Sequence, residues 1–305
     1  MTLVLSMHSR DTLWLLVDRR LSARGRRPID DAVKVMDLTT VDGRGLLAYA
    51  GLGATLRGTQ PSEWMTAVLR GRGNLTFEQA LGVLSSAANR ELPKHIASLP
   101  GAAHFIVAPA FIRDIGARLY CIANAVHHTT GEHLHRYTRF EVPTKQGTRS
   151  QNVALSGTGG EYLYRRIELW RRNLQSLLKA HDRGKVSAYL IADQLARLNL
   201  EAHHGGRDGS VGPRCIVIWR RRLDARRPGS GGAHQFYTGI ERDVRSPEIP
   251  SIHHGMDLRP VFQVIMKQFG RQRAEGVPVR ERKLDMSQVN RELATFPEGP
   301  DERLR

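Results

Sequence analysis

The chain has 305 residues, 40% of them hydrophobic and 6% aromatic, which is enough apolar side chain for a core and excludes wholesale disorder. Lys and Arg outnumber Asp and Glu by 46 to 30, for a formal net charge of +16. Mean hydropathy is −0.39, no apolar run approaches the roughly 18–20 residues of a membrane span, and the two cysteines, Cys121 and Cys215, exclude a disulfide scaffold or a four-cysteine zinc site.

This length corresponds to one large domain or two ordinary ones. The opening MTLVLSMHSRD has too short an apolar stretch for a secretory signal, and with so few cysteines a cytoplasmic setting is expected. Residues 222–305 hold 15 basic and 12 acidic side chains, so +13 of the net charge lies in residues 1–221. Pairs such as Arg165-Arg166, Arg171-Arg172 and Arg220-Arg221 are scattered over different elements. Such scatter fits solvated faces better than a groove for nucleic acid, which stays as an alternative.

In chain order, Thr2 to Met7 and Thr12 to Val17 are apolar runs about a polar turn, the pattern of a hairpin. Ala32 to Leu38 and Gly45 to Ala50 form a second such pair. A helix starts at Ser62, with Trp64, Met65, Val68 and Leu69 on one face, and Thr76 caps another. Strand patterns follow at His104–Ala108, Leu119–Ala123 and Val153–Leu155. The polar stretch between the last two, with His127, His128, His133 and His135, is a hairpin or an exposed loop; it lacks the spacing of a metal site. Long amphipathic helices are expected over Glu161–Ala180 and Val186–Glu201, then a core strand over Arg214–Trp219. A strand at His234–Ile240 and a helix over 258–269 come next, and a loosely held tail over 276–305. That last helix carries Val261, Phe262, Val264, Ile265, Met266 and Phe269, an apolar face that must be covered within the chain or by a neighbour. Strands and helices in this alternation suggest stacked helix and sheet layers.

The chemistry begins at Thr2. A small residue after Met1 permits removal of the methionine, which frees the Thr2 α-amine. A threonine with a free amine holds a nucleophile and a base in one residue, because that amine titrates at about 7.7–8.0. Asp18 lies 16 residues after Thr2, and Lys34 lies 16 after Asp18. Taken singly, Asp18 is an ordinary strand-end turn residue and Lys34 an ordinary ion-pair partner.

Taken together, the Thr2, Asp18, Arg20 and Lys34-Val35-Met36-Asp37-Leu38 pattern resembles the opening of proteasome β-type subunits and the related bacterial proteasome-like proteases. Further segments resemble that family in the same order: Tyr49-Ala50-Gly51-Leu52-Gly53-Ala54, Gly157-Thr158-Gly159-Gly160 and Arg207-Asp208-Gly209-Ser210-Val211-Gly212. The resemblance covers roughly Thr2 to Arg221. It implies an α+β fold, the four-layer αββα sandwich of N-terminal nucleophile hydrolases, over residues 1–221, with a C-terminal extension over 222–305. It also implies roles. Thr2 is the nucleophile, Lys34 tunes its protonation, and Asp18 orients Lys34. Gly51 supplies the oxyanion N–H; Thr158, Asp208 and Ser210 hold the α-amine; Arg20 and Tyr49 shape a specificity pocket.

The function that follows is a threonine-type hydrolase, a proteasome-like peptidase acting on peptide or protein substrate through an acyl-enzyme on Thr2. No cofactor and no metal is implied. Family members form rings, so a homo-oligomer is expected by analogy, and an ATPase partner stays open. Two alternatives remain: a catalytically inactive scaffold or binding module, and a basic nucleic-acid-associated protein on the same fold.

Overall fold

A computed structural model describes residues 2–21, 28–51, 60–96, 104–124, 136–142, 153–206, 209–222, 232–244 and 248–295. The first hairpin is β1 (Val4–His8) and β2 (Thr12–Asp18), paired antiparallel with Val4 opposite Val17. β2 alternates: Trp14 and Leu16 join one apolar cluster, Leu13, Leu15 and Val17 another, so the strand is buried on both faces. The second hairpin is β3 (Val35–Thr39) and β4 (Gly43–Ala50). Helices α1 (Pro61–Leu69) and α2 (Phe77–Ile96) follow. Gln60 and Glu63 form a reciprocal capping box on α1, and Thr76 and Gln79 exchange the same bonds at the start of α2.

The chain continues through β5 (Phe105–Ile112), β6 (Gly116–Ala123), β7 (Thr138–Glu141) and β8 (Val153–Ser156). Where one helix is expected over Glu161–Ala180 there are two, α3 (Thr158–Tyr164) and α4 (Ile167–Asp182). The Leu163 carbonyl at this break accepts the Arg166 N–H at 3.0 Å and the Trp170 indole N–H at 2.7 Å. α5 (Ala188–Gly205) is capped by Ser187, and β9 (Arg214–Arg221) closes this part. Beyond it come β10 (Gly232–Thr238), β11 (Glu241–Asp243), β12 (Ser251–His253), β13 (Met256–Asp257), α6 (Leu258–Ala274) and α7 (Met286–Leu293). α7 lies in the stretch expected as a loose tail; the Asp285 carboxylate caps it, accepting from the Ser287 and Gln288 N–H groups. On α6, Val264 is buried, whereas Phe262 and Met266 are exposed.

Two sheets result. One is antiparallel throughout, in the order β11-β10-β9-β2-β1-β8; the other runs β13-β12-β3-β4-β5-β6-β7 and is mixed, because β12 lies parallel to β3. The expected four-layer αββα sandwich is therefore corrected to two large sheets, one antiparallel and one mixed, with seven helices among the described residues. The cause is main-chain hydrogen bonding at the sheet edges. β10 pairs along β9 and β12 along β3, so residues beyond Arg221 build parts of both sheets, and α6 packs on α7 and β12. Apolar residues fill the space between the sheets: Val4, Leu15 and Val17 from the first, Val35, Ala48 and Val107 from the second. Buried residues of α1 and α2 share one apolar cluster with β3 to β6, and those of α3, α4 and α5 share another with β1, β2 and β9.

A buried ion pair joins the two sheets at Asp37. Asp37 of β3 accepts from Arg220 of β9 at 2.9 Å and from Arg44 of β4 at 3.2 Å; Ser251 of β12 adds a hydroxyl. Burial pushes the Asp37 carboxyl up, but the two guanidinium groups outweigh it and leave the group below its ordinary value. A depressed carboxylate stabilises the fold above its unfolded pKa of about 3.9, and that contribution is lost as pH falls through the folded value. Asp37→Asn is expected to lower stability in urea by about 3–5 kcal/mol at neutral pH, since it strands Arg220. The deficit relative to wild type should shrink in acid.

Candidate functional site

The site lies where β1 begins and β2 ends, beside the segment that leads into β3. The chain enters β1 through Thr2 and Leu3, and β2 ends on Asp18. Antiparallel pairing sets those two ends side by side, so the Asp18 carboxylate Oδ1 accepts the Leu3 N–H at 2.9 Å. Its other oxygen accepts the Arg20 N–H at 3.0 Å and the Gly212 N–H at 3.4 Å. Asp18 has no exposed surface, and backbone donors are what permit a carboxylate to be buried this way.

Lys34 completes the group. Its ammonium lies 3.3 Å from Asp18 Oδ1 and donates to Thr2 Oγ1 at 2.7 Å and to the Arg20 carbonyl. Three donors therefore meet three acceptors, with Lys34 only 1% exposed and Thr2 only 3%. Burial is the largest influence on Lys34 and draws its pKa below the ordinary lysine value; the Asp18 charge opposes this without cancelling it. A lysine poised in this way holds its proton loosely. Once neutral, it can donate to Asp18 and the Arg20 carbonyl and still accept the proton of Thr2 Oγ1.

Glycines bring the chain close to Thr2. Gly157 has φ +86°, a left-handed conformation that suits glycine, and a Cβ there would overlap the Thr2 carbonyl oxygen. Gly159 stands against Leu3 and Val211, so α3 can approach β1 only without a side chain at that point. Gly51 directly follows β4 with φ +113°. The Lys34 carbonyl accepts the Tyr49 N–H at 2.9 Å, which sets the end of β4 next to Lys34.

The structure thus gathers Thr2, Asp18 and Lys34 by direct contact, with Gly51 two residues beyond the Lys34–Tyr49 bond. Thr158 is the first residue of α3, directly after Gly157. Ser210 is buried between Gly209, whose carbonyl accepts from Arg20 at 2.6 Å, and Gly212, which donates to Asp18. Asp208 lies outside the described residues, as do His127, His128, His133 and His135. Arg20 is engaged elsewhere: its guanidinium grips Asp30 through two bonds of 2.6 and 2.8 Å. That hydrogen-bonded pair holds the Asp30 carboxyl below its ordinary value. Sequence reasoning missed Asp30 and the close approach of Gly157 to Thr2, and it gave Gly212 no role of its own; only the unusual run of glycines around 157 and 209 signalled a close approach. Cys215 stands opposite Asp18 across the β2–β9 ladder and is fully buried, and burial pushes the Cys121 thiol up to about 12. No described helix is long and apolar enough to cross a membrane.

No protein-family model and no curated protein matches the chain. Among solved structures, two forms of Anbu from Hyphomicrobium sp. strain MC1 are similar. A Gly-1 mutant is 12% identical with a TM-score of 0.46, and the match covers 81% of this chain and 90% of that one. A second crystal form is 13% identical with a TM-score of 0.41, covering 72% and 82%. This likeness assigns no family. With no family model and no curated protein matching, and 12% and 13% identity at TM-scores of 0.46 and 0.41 to these solved structures, the expected placement among proteasome β-type subunits and their bacterial relatives is corrected.

Gly157→Ala tests the geometry. A left-handed non-glycine residue alone costs about 1–3 kcal/mol, and the overlap with the Thr2 carbonyl adds to it. A clear drop in melting temperature is expected; a melt within 1–2 °C of wild type (roughly a few tenths of a kcal/mol for a chain this size) contradicts the described contact.

Proposed function

We propose that the chain is an amide hydrolase that uses Thr2 as an N-terminal nucleophile and cleaves peptide bonds through an ester on Thr2 Oγ1. The observation that carries the reading is the buried run from Thr2 Oγ1 to Lys34 Nζ to Asp18, at 2.7 and 3.3 Å. A threonine in a surface turn needs no buried lysine on its hydroxyl, and burying that ion pair is costly unless it serves some end. In the chain as it stands the Thr2 α-nitrogen is a peptide nitrogen. The reading therefore requires that Met1, and anything ahead of it, be removed.

In the reaction Thr2 Oγ1 attacks the carbonyl carbon of the scissile amide. Its proton passes to neutral Lys34, or to the freed α-amine, and then to the departing amine. The carbonyl oxygen gains negative charge in the tetrahedral intermediate, and the Gly51 N–H is the donor assigned to it, a role worth roughly 3–4 kcal/mol. Water then attacks the ester, and the proton it loses returns by the same base to Thr2 Oγ1. Asp18 touches no reacting atom. It keeps Lys34 aimed at Thr2 and balances the charge that Lys34 gains. Peptides and unfolded protein segments are the substrates this chemistry serves.

Lys34→Met, which keeps most of the buried stem, is expected to lower peptide turnover by about 10²–10⁴-fold. Circular dichroism should show the fold retained. In the wild type, acylation should accelerate as pH rises through the depressed Lys34 pKa and level off below the ordinary lysine value of about 10.4. A folded Lys34→Met protein within fivefold of wild type would mean that Lys34 is only structural.

A further inference from the structure

Asp30 touches none of Thr2, Lys34 and Asp18, yet it holds the residue on which they lean. Arg20 gives both of its peptide groups to the site. Its N–H donates to Asp18 Oδ2 at 3.0 Å, and its carbonyl accepts from Lys34 Nζ. Whatever orients the Arg20 backbone therefore orients the carboxylate and the ammonium together. That backbone is anchored through its own side chain. The Arg20 guanidinium donates to both Asp30 oxygens, at 2.6 and 2.8 Å, and to the Gly209 carbonyl at 2.6 Å. Two parallel bonds from a planar guanidinium to a carboxylate fix direction as well as distance.

The backbone explains why Asp30 is within reach. Leu21 and Ile29 form an antiparallel bridge with N–H···O bonds of 2.7 and 3.0 Å. Residues 20 and 30 therefore fall opposite each other, with their side chains on one face. Gly212, whose N–H donates to Asp18 at 3.4 Å, packs directly on the pair. A Cβ there would come within 2.6 Å of Asp30 Oδ1 and 3.0 Å of the Arg20 Cβ. Three segments thus converge on one ion pair: the end of β2, the lead into β3, and residues 209–212.

The same pair shapes the field at Lys34. The Asp30 charge favours the protonated ammonium and the Arg20 charge disfavours it, so the two oppose each other. The other charged groups facing the pair are Asp18 at the end of β2, His203 on α5 and Arg214 at the start of β9. The side chains of Arg20 and Asp30 are 15% and 28% exposed, so solvent softens their effect without removing it.

We propose that Asp30 is a positioning residue of the Thr2 site: through Arg20 it aims Lys34 at Thr2 Oγ1, and its charge offsets the guanidinium that would otherwise face the ammonium alone. This rests on the reading of Lys34 as the group that moves the Thr2 proton. Asp30 meets no reacting atom and acts only through Arg20. Loss of its charge alone leaves a cation near Lys34, which makes the ammonium easier to deprotonate. Loss of the guanidinium alone does the reverse, and loss of both cancels.

The test uses the full chain beginning at Thr2, with the rate of β-lactone labelling followed by intact mass across a pH series. Asp30→Asn is expected to lower the plateau rate about 10-fold through misalignment. It should also move the midpoint of the profile to lower pH by about 0.5–1 unit. Arg20→Met should move the midpoint to higher pH, and the double variant should return it to within ~0.3 unit of wild type, a pattern that a purely structural role would not produce. Circular dichroism checks each fold; where Asp30→Asn does not fold, Arg20→Met and the double variant carry the test. Midpoints that stay at the wild-type value, or that move the same way in both single variants, overturn the role of Asp30 and leave the Thr2 reading standing. Absence of any adduct on Thr2 in the wild type overturns the Thr2 reading itself, and this inference with it.

Discussion

A single buried carboxylate organises the site. Asp18 sits at the end of β2, sealed from solvent, with the Leu3, Arg20 and Gly212 N–H groups and the Lys34 ammonium around it. Each contact fixes a different piece of chain: Leu3 carries Thr2, Arg20 supplies the carbonyl that binds Lys34, and Gly212 holds the segment leading into β9. A carboxylate without those donors would not stay buried and ionised, and without its charge the ammonium above it would be stranded. Thr2 is placed because Asp18 is placed.

The wider fold serves this arrangement by keeping two sheets in register. Asp18 and Thr2 come from the first sheet, whereas Lys34 leads into β3 of the second. The Thr2–Lys34 bond therefore spans the interface between them, and any slip of one sheet over the other would break it. Asp37, three residues after Lys34, takes Arg220 from β9 of the first sheet. Two buried polar contacts across an apolar interface hold the relative position that packing alone would leave adjustable.

What could be read from the sequence was local. The spacing of Thr2, Asp18 and Lys34 was legible because a hairpin returns its second strand to the start of its first, and both β1–β2 and β3–β4 are hairpins. The break at Arg165-Arg166 was hidden, since it depends on Trp170 reaching the Leu163 carbonyl. The mixed second sheet was hidden for a different reason: β12 meets β3 across a separation of 214 residues between Ser251 and Asp37, and no periodicity reports such pairing. The family suggested by the motifs was not returned by comparison, because short motifs at matching spacing constrain a site far more than they constrain a whole chain.

The most direct test of the central claim is to map where an electrophile lands. The protein would be treated with a β-lactone, digested and read by peptide mass spectrometry. The account predicts one adduct, on a peptide whose first residue is Thr2, abolished by Thr2→Ala and by Lys34→Met. A chain that keeps Met1, or an adduct confined to Cys121, Cys215 or Ser210, would contradict it.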